Sequence, residues 1–228
     1  MPLKSMADMA PIKKLTLGEE AASQIRRLII NAKLPAGTKM VERDICALLD
    51  ISRTPIRDAL KLLEQQGFIR PMGKSLVVCD LTIDEAEQFY RLIGNLEQFL
   101  MSNMDPVEPT TLTKLRQLNE ALSKPNNDIE QTINLDSDFH LTLVSHHRNQ
   151  KAFDVYQQMR LLAARYDFLF FNANPNLSPS VDEHQQLIEQ LTNADVSGCQ
   201  QTLHNHWIET LPAFLEVIKA ALPTIERD

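Results

Sequence analysis

From Thr82 onward, apolar residues recur at helical spacing through six segments, and no strand-like alternation interrupts them. The segments cover about 82–104, 109–123, 128–147, 150–172, 179–194 and 196–221. Breaks fall at Asp105-Pro106, Lys124-Pro125-Asn126 and Asn174-Pro175-Asn176. Thr82-x-x-Glu85 and Ser180-x-x-Glu183 have the pattern of capping boxes. A chain patterned this way must bury its apolar stripes helix against helix.

The residues before Thr82 are organised differently. A first helix runs from Leu17 through Ile25, Leu28 and Ile29 to about Ala32, and Leu34-Pro35-Ala36-Gly37 breaks it. A second reads Val41 to Leu49. A third starts at Ser52-Arg53-Thr54-Pro55, where a hydroxyl can cap and proline is tolerated, and stops at Gly67. Phe68-Ile69-Arg70 and Leu76-Val77-Val78, around Met72-Gly73-Lys74-Ser75, predict a hairpin. The expected fold is mainly α: an N-terminal winged helix-turn-helix of three helices plus a β-hairpin, then an antiparallel all-α bundle of about six helices. Residues 1–15 read as a flexible tail, 16–79 as the winged domain and 80–228 as the bundle.

Charge separates the same halves. Residues 1–78 carry 13 Lys/Arg against 8 Asp/Glu, a balance of +5, whereas residues 79–228 carry 10 against 22, a balance of −12. A basic domain joined to an acidic one suggests that the first alone meets a polyanion. Cys46, Cys79 and Cys199 are too few and too scattered for a disulfide framework, which points to a reducing cytoplasm. No stretch approaches the roughly 18 apolar residues of a membrane span, and the first residues lack the apolar run of a secretion signal.

The start of the third helix concentrates Ser52, Arg53, Thr54 and Arg57, two guanidinium forks and two hydroxyls where a recognition helix meets base edges and phosphates. Arg43 and the hairpin tip Gly73-Lys74 are placed to touch the backbone or the minor groove. Leu34-Pro35-Ala36-Gly37-Thr38, Val41-Glu42-Arg43, Ser52-Arg53-Thr54-Pro55-Ile56-Arg57-Asp58-Ala59-Leu60 and Leu63-Glu64-x-x-Gly67 together closely resemble the GntR regulators. The resemblance implies operator contacts by Arg43, Arg53, Thr54, Arg57 and Gly73, and a homodimer on palindromic double-stranded DNA.

In the bundle, Asp136 and His140 share a helix face, His184 lies on a stripe with Leu187, Ile188 and Leu191, and His206 follows Leu203 by three. One carboxylate and three imidazoles from three helices suit zinc, nickel or another divalent transition metal. Spacing alone also allows hydrogen-bonded core histidines, and it does not choose His206 over His204. Asp136-x-x-Phe139-His140, Glu183-His184 and Leu203-x-x-His206 resemble the FCD domain of the FadR branch of these regulators. That resemblance implies a metal on Asp136, His140, His184 and His206, helping to hold a small carboxylate effector. Many members have an arginine four residues before the glutamate matching Glu97, and this chain has Ile93 there, with Arg91 on another face. Arg160 or Arg165 could take over effector binding, though each also reads as a surface or ion-pair residue. His146 and His147 are expected to be solvated loop residues, and Cys199 a small core residue.

The expected function is a DNA-binding regulator, a repressor by the usual outcome in such proteins, and not an enzyme. No general base, nucleophile or glycine-rich phosphate loop stands beside the proposed ligands, which argues against a metal-dependent enzyme. The inward Asp/His set argues against an architectural DNA binder, whose bundle would favour apolar residues there.

Overall fold

The computed structural model describes residues 15–174 and 176–222. The tail expected over residues 1–15 lies outside them except for Leu15. The described residues divide into two compact units, one reaching Ile29 and resuming over Gly37–Cys79, the other taking Ile30–Ala36 and everything from Asp80. No helix among them is long and apolar enough to cross a membrane.

In the first unit, α1 (Leu17–Ile30), α2 (Glu42–Leu49) and α3 (Arg53–Gln65) enclose a core of Ala22, Ile25, Ile56, Ala59 and Leu63. Asp50, at φ +53, ends α2, and Gly67, at φ +84, ends α3, where the Phe68 amide returns to the Leu63 carbonyl in a six-to-one bond. Strands β1 (Ile69–Met72) and β2 (Ser75–Val78) pair antiparallel from Ile69↔Val78 to Met72↔Ser75, and Gly73 turns between them at φ +62. The sequence did not reveal that Gly37–Met40 pairs with β2 on its other side. There Gly37 and Met40 donate to the Val78 and Leu76 carbonyls, and the Val78 amide donates to Thr38.

The second unit comprises α4 (Ile83–Ser102), α5 (Pro109–Leu122), α6 (Ile129–Leu143), α7 (Gln150–Ala173), α8 (Ser178–Thr192), α9 (Val196–His204) and α10 (Leu211–Ala221). Helices α4 and α7 are antiparallel, since Thr82 meets Tyr166 near one end and Glu97 meets Tyr156 near the other. Helix α5 likewise runs against α8, pairing Asn119 with Val181 and Arg116 with Thr192. Ile93, Leu100, Leu115, Phe139, Tyr156, Leu187 and Leu203 fill the core, joined by Cys199 as expected.

Four local expectations need correction. Thr82 does cap α4, accepting from the Glu85 amide at 3.1 Å, but Ser180 caps nothing, because α8 begins at Ser178 with Pro179 in its first turn. Full capping boxes are formed instead by Asp128 and Gln131, opening α6, and by Thr16 and Glu19, opening α1. Helix α6 stops at Leu143, so His146 and His147 lie in a turn bonded through the backbone to Asn103–Asp105. They are half-buried rather than solvated: His146 Nε2 is 2.9 Å from Thr111 Oγ1, and His147 stacks on Phe153. Lastly, the single helix expected over 196–221 is divided by a π turn, Asn205–Glu209, closed by the Thr210 amide on the Asn205 carbonyl at 3.2 Å.

Gly94 of α4 is what lets this turn come close. A Cβ at Gly94 would lie 2.6 Å from Trp207 Cβ, an atom fixed to the backbone. Gly94→Ala is therefore expected to destabilise the protein by about 1–3 kcal/mol through overpacking. Urea unfolding checks this, and an unchanged midpoint would show that the two elements can separate freely.

Candidate functional site

The seven residues proposed for DNA all lie exposed on the first unit: Arg43 on α2, Ser52, Arg53, Thr54 and Arg57 at the start of α3, and Gly73 and Lys74 at the hairpin turn. Ser52 occupies the N-cap position but makes no side-chain capping bond, so its hydroxyl and the first amides of α3 face outward unspent. Arg57 is not a free fork. Its Nε lies 3.0 Å from both carboxylate oxygens of Glu42, a pairing that the sequence reading missed. Arg43 is largely exposed and pairs with the adjacent Asp44.

In the second unit, α6, α8 and the π turn bring His140, His184 and His206 together, with one nitrogen of each within 4.8 Å of the others. His140 and His184 are fully buried, and their Nε2 atoms are 3.3 Å apart. His204, which spacing could not exclude, faces outward and pairs with Glu209. Asp136 Oδ1 is 3.9 Å from Nε2 of both His140 and His184, while Oδ2 accepts from Arg160 Nη2 at 2.9 Å.

The imidazoles are oriented from behind. His140 Nδ1 is 2.8 Å from Glu97 Oε1, and His206 Nδ1 is 2.6 Å from Glu183 Oε2. An ionised carboxylate only accepts, so each Nδ1 carries a proton and each Nε2 is turned toward the cluster. This is the carboxylate–histidine arrangement that aims imidazoles at a cation. His184 is held differently, stacked on Phe139 with centroids 3.8 Å apart. Burial, then the neighbouring His140, holds its pKa well below the ordinary histidine value, so it is neutral. Glu97, also fully buried, accepts further bonds from the Tyr156 hydroxyl and Trp207 Nε1. Burial pushes its carboxyl up, but His140 and Arg160 outweigh that and keep it below the usual range. Asp136 follows the same pattern: burial pushes its carboxyl up, but His140 and then Arg160 outweigh that and keep it ionised.

A cavity of about 220 Å³ opens beside this cluster, lined by Asp136 and His206 and continuing to Arg160, Asp167, Tyr90 and an aromatic wall of Phe170 and Phe214. Of the two arginines proposed for an effector, both are buried, but only Arg160 lines the cavity. Ile93 lies in the core, and Arg91 is exposed and bonded to Glu87, so neither serves as the clamp. Asp167 was not singled out in the sequence. It follows Arg160 by seven residues on the same face of α7 and accepts a hydrogen bond from the Tyr90 hydroxyl.

Burial pushes the Asp167 carboxyl up to about 6 from 3.8; Arg160 opposes the rise and Asp136 adds to it. Its folded value exceeds its unfolded one, so folding favours the protonated form. That contribution is complete below about pH 4 and is lost as pH rises through about 6. Asp167→Asn is thus expected to stabilise the protein above pH 7, by up to about 3 kcal/mol, with the gain shrinking toward pH 4. Urea unfolding across this range reads the effect, and a variant less stable than wild type at pH 8 would contradict it.

Comparison with known proteins agrees with this division. Residues 89–209 match the FCD domain, and residues 17–75 match the bacterial regulatory proteins of the gntR family. The HTH-type transcriptional regulator YdhC of Bacillus subtilis (strain 168) is 25% identical over 204 residues, covering 85% of this chain and 90% of its own length. The gluconate operon transcriptional repressor of the same organism is 25% identical over 210 residues, covering 86% and 84%. Among solved structures, a GntR transcriptional regulator from Rhodococcus sp. RHA1 superposes with a TM-score of 0.74 at 18% identity, covering 87% of this chain and 97% of that one. E. coli McbR/YncC gives 0.73 at 19%, covering 89% and 99%. With more than half of its length matching the FCD domain behind a matching DNA-binding segment, the chain belongs to the GntR family of bacterial transcription regulators and carries the FCD domain of that family.

Proposed function

We propose that residues 16–79 read DNA and residues 80–228 sense a small carboxylate effector at a divalent metal site. The protein works in the cytoplasm as a homodimer on a palindromic operator. Arg53, Thr54 and Arg57, with Ser52, address base edges and phosphates from the start of α3, while Arg43, Gly73 and Lys74 contact the backbone or the minor groove. The exposure of all seven supports the reading. Relatives named as gluconate operon repressors support repression as the outcome.

The observation that carries the sensing half is the orientation of His140 and His206. Two imidazoles with Nδ1 given to carboxylates present Nε2 lone pairs to the same space, where His184 and Asp136 already stand. Without a shared cation or proton such lone pairs repel, and three nitrogens with a carboxylate oxygen fit zinc or nickel. His140, His184, His206 and Asp136 would hold the ion, which supplies a Lewis-acidic anchor for a carboxylate. Arg160 adds a buried positive charge on the cavity wall, and Phe170 and Phe214 form an apolar side for the rest of the effector. Effector occupancy shifts the bundle between two arrangements, and operator affinity changes only by the difference in effector affinity between them.

Elemental analysis of untagged protein tests this directly. About one zinc or nickel per chain is expected, falling to a trace in His140→Ala and His184→Ala. Undiminished metal in both variants, or none in the wild type after reconstitution, would remove the metal from the mechanism.

A further inference from the structure

We propose that the effector is a monocarboxylate bearing a hydrogen-bond donor, an ammonium or hydroxyl group, at the end remote from its carboxylate, and that Asp167 receives that donor. This rests on the reading of the cavity as the effector site. Asp167 is 6% exposed and lines the cavity, and the bond it accepts from Tyr90 engages one of its two oxygens. A buried carboxylate can accept about four hydrogen bonds, and leaving that capacity unmet is costly. Asp167 also offsets part of the buried Arg160 charge, and it stands on the lining beside Tyr90, Phe170 and Phe214 with one oxygen left for a further donor.

The positive charge near Asp167 is already engaged. Arg160 gives Nη2 to Asp136 and lies over Trp207, 5.3 Å from the ring centroid, although its buried Nε has no acceptor. Glu183 and Asp136 add further negative charge along the same lining. A second carboxylate at the far end of the effector would therefore meet the carboxylates of Asp167, Glu183 and Asp136 against the guanidinium of Arg160, whereas a donor would be welcomed. The backbone positions of Arg160 and Asp167 stand roughly 10 Å apart along α7 at 1.5 Å per residue. The cavity of about 220 Å³ has the volume of roughly seven waters, enough for a skeleton of five or six carbons.

The test is titration calorimetry of zinc-loaded full-length protein with hexanoate, 6-hydroxyhexanoate, 6-aminohexanoate and adipate, and with the five-carbon series. The amino or hydroxy acid is expected to bind at least about tenfold tighter than hexanoate, with adipate weakest. In Asp167→Leu that advantage should vanish for both donors. In Asp167→Asn an ammonium should lose it while a hydroxyl keeps part, which tells the two donors apart. Equal affinities across the series, or a ranking unaltered in Asp167→Leu, would overturn the role of Asp167 and leave the effector site standing. If no member binds at all, the carboxylate reading of the cavity falls together with this inference.

Discussion

Asp136→Ala is expected to destabilise the metal-free second unit by about 3–5 kcal/mol, because it strands the Arg160 guanidinium inside the protein. The Arg160 side chain is only 2% exposed, and its pairing with Asp136 is the salt bridge that satisfies it. Burial works against its charge, but Asp136 and then Asp167 more than offset this, so it stays protonated rather than shedding the penalty. Removing both charges is a different matter, since a buried pair replaced by apolar groups is often neutral or stabilising. The double variant Asp136→Ala/Arg160→Leu should therefore recover most of the loss. Urea unfolding of the single and double variants measures both terms. A loss below about 1 kcal/mol for Asp136→Ala would mean that water or a rearranged side chain already compensates Arg160.

The second large effect concerns DNA. Arg53→Ala and Arg57→Ala should each weaken specific binding by about 1–3 kcal/mol, about five- to 160-fold, with the fold intact because both side chains are exposed. Duplexes selected from a random library supply the site, and mobility shifts over a range of salt supply the reading. A residue on phosphate lowers the salt slope by about one, whereas a residue on a base edge mainly relaxes preference at one position. Arg57 begins from a disadvantage, since Glu42 grips its Nε with both oxygens. Either DNA displaces Glu42 or the pair orients the remaining guanidinium nitrogens toward a base. Glu42→Ala separates these cases, strengthening binding in the first and weakening it in the second. If both arginine variants bind as wild type does, α3 is not the recognition helix.

How far the sequence could be read depended on whether the relevant physics was local. The helix starts at Thr82 and near Arg53, the stop at Gly67 and the hairpin around Gly73 follow from capping and turn chemistry, and the structure places them there. The pairing of Gly37–Met40 with β2 is made by backbone groups across forty residues of chain, and no side-chain alternation announces it. Asp136, His140 and His184 could be placed because each sits at helical spacing on an apolar stripe. Glu97 offered the same signal, four residues after Ile93 and three before Leu100, both buried. A carboxylate on that stripe is better read as a support for a site than as a surface charge. Asp167 was legible too, seven residues from Arg160, but only once Arg160 was known to face inward. His206 was the hard case, since an α-helix through 196–221 would not have fixed which histidine pointed to the cluster.

The π turn explains that difficulty and has a consequence for how such a protein can change. His206 and Trp207 are consecutive, yet one joins the imidazole cluster and the other gives its indole N–H to Glu97. A π turn amounts to one extra residue accommodated in a helix, and the extra residue widens the arc over which neighbours can face inward. Deleting Asn205 would let the turn close as ordinary helix and move His206 one position back along α9, by about 100°, while Pro212 still marks the start of α10, whose facing is kept. A bundle of that kind could keep its packing elsewhere while losing the cluster. Loss or gain of the histidine cluster is thus open to one-codon insertions and deletions in a helix, a route distinct from replacing the histidines themselves.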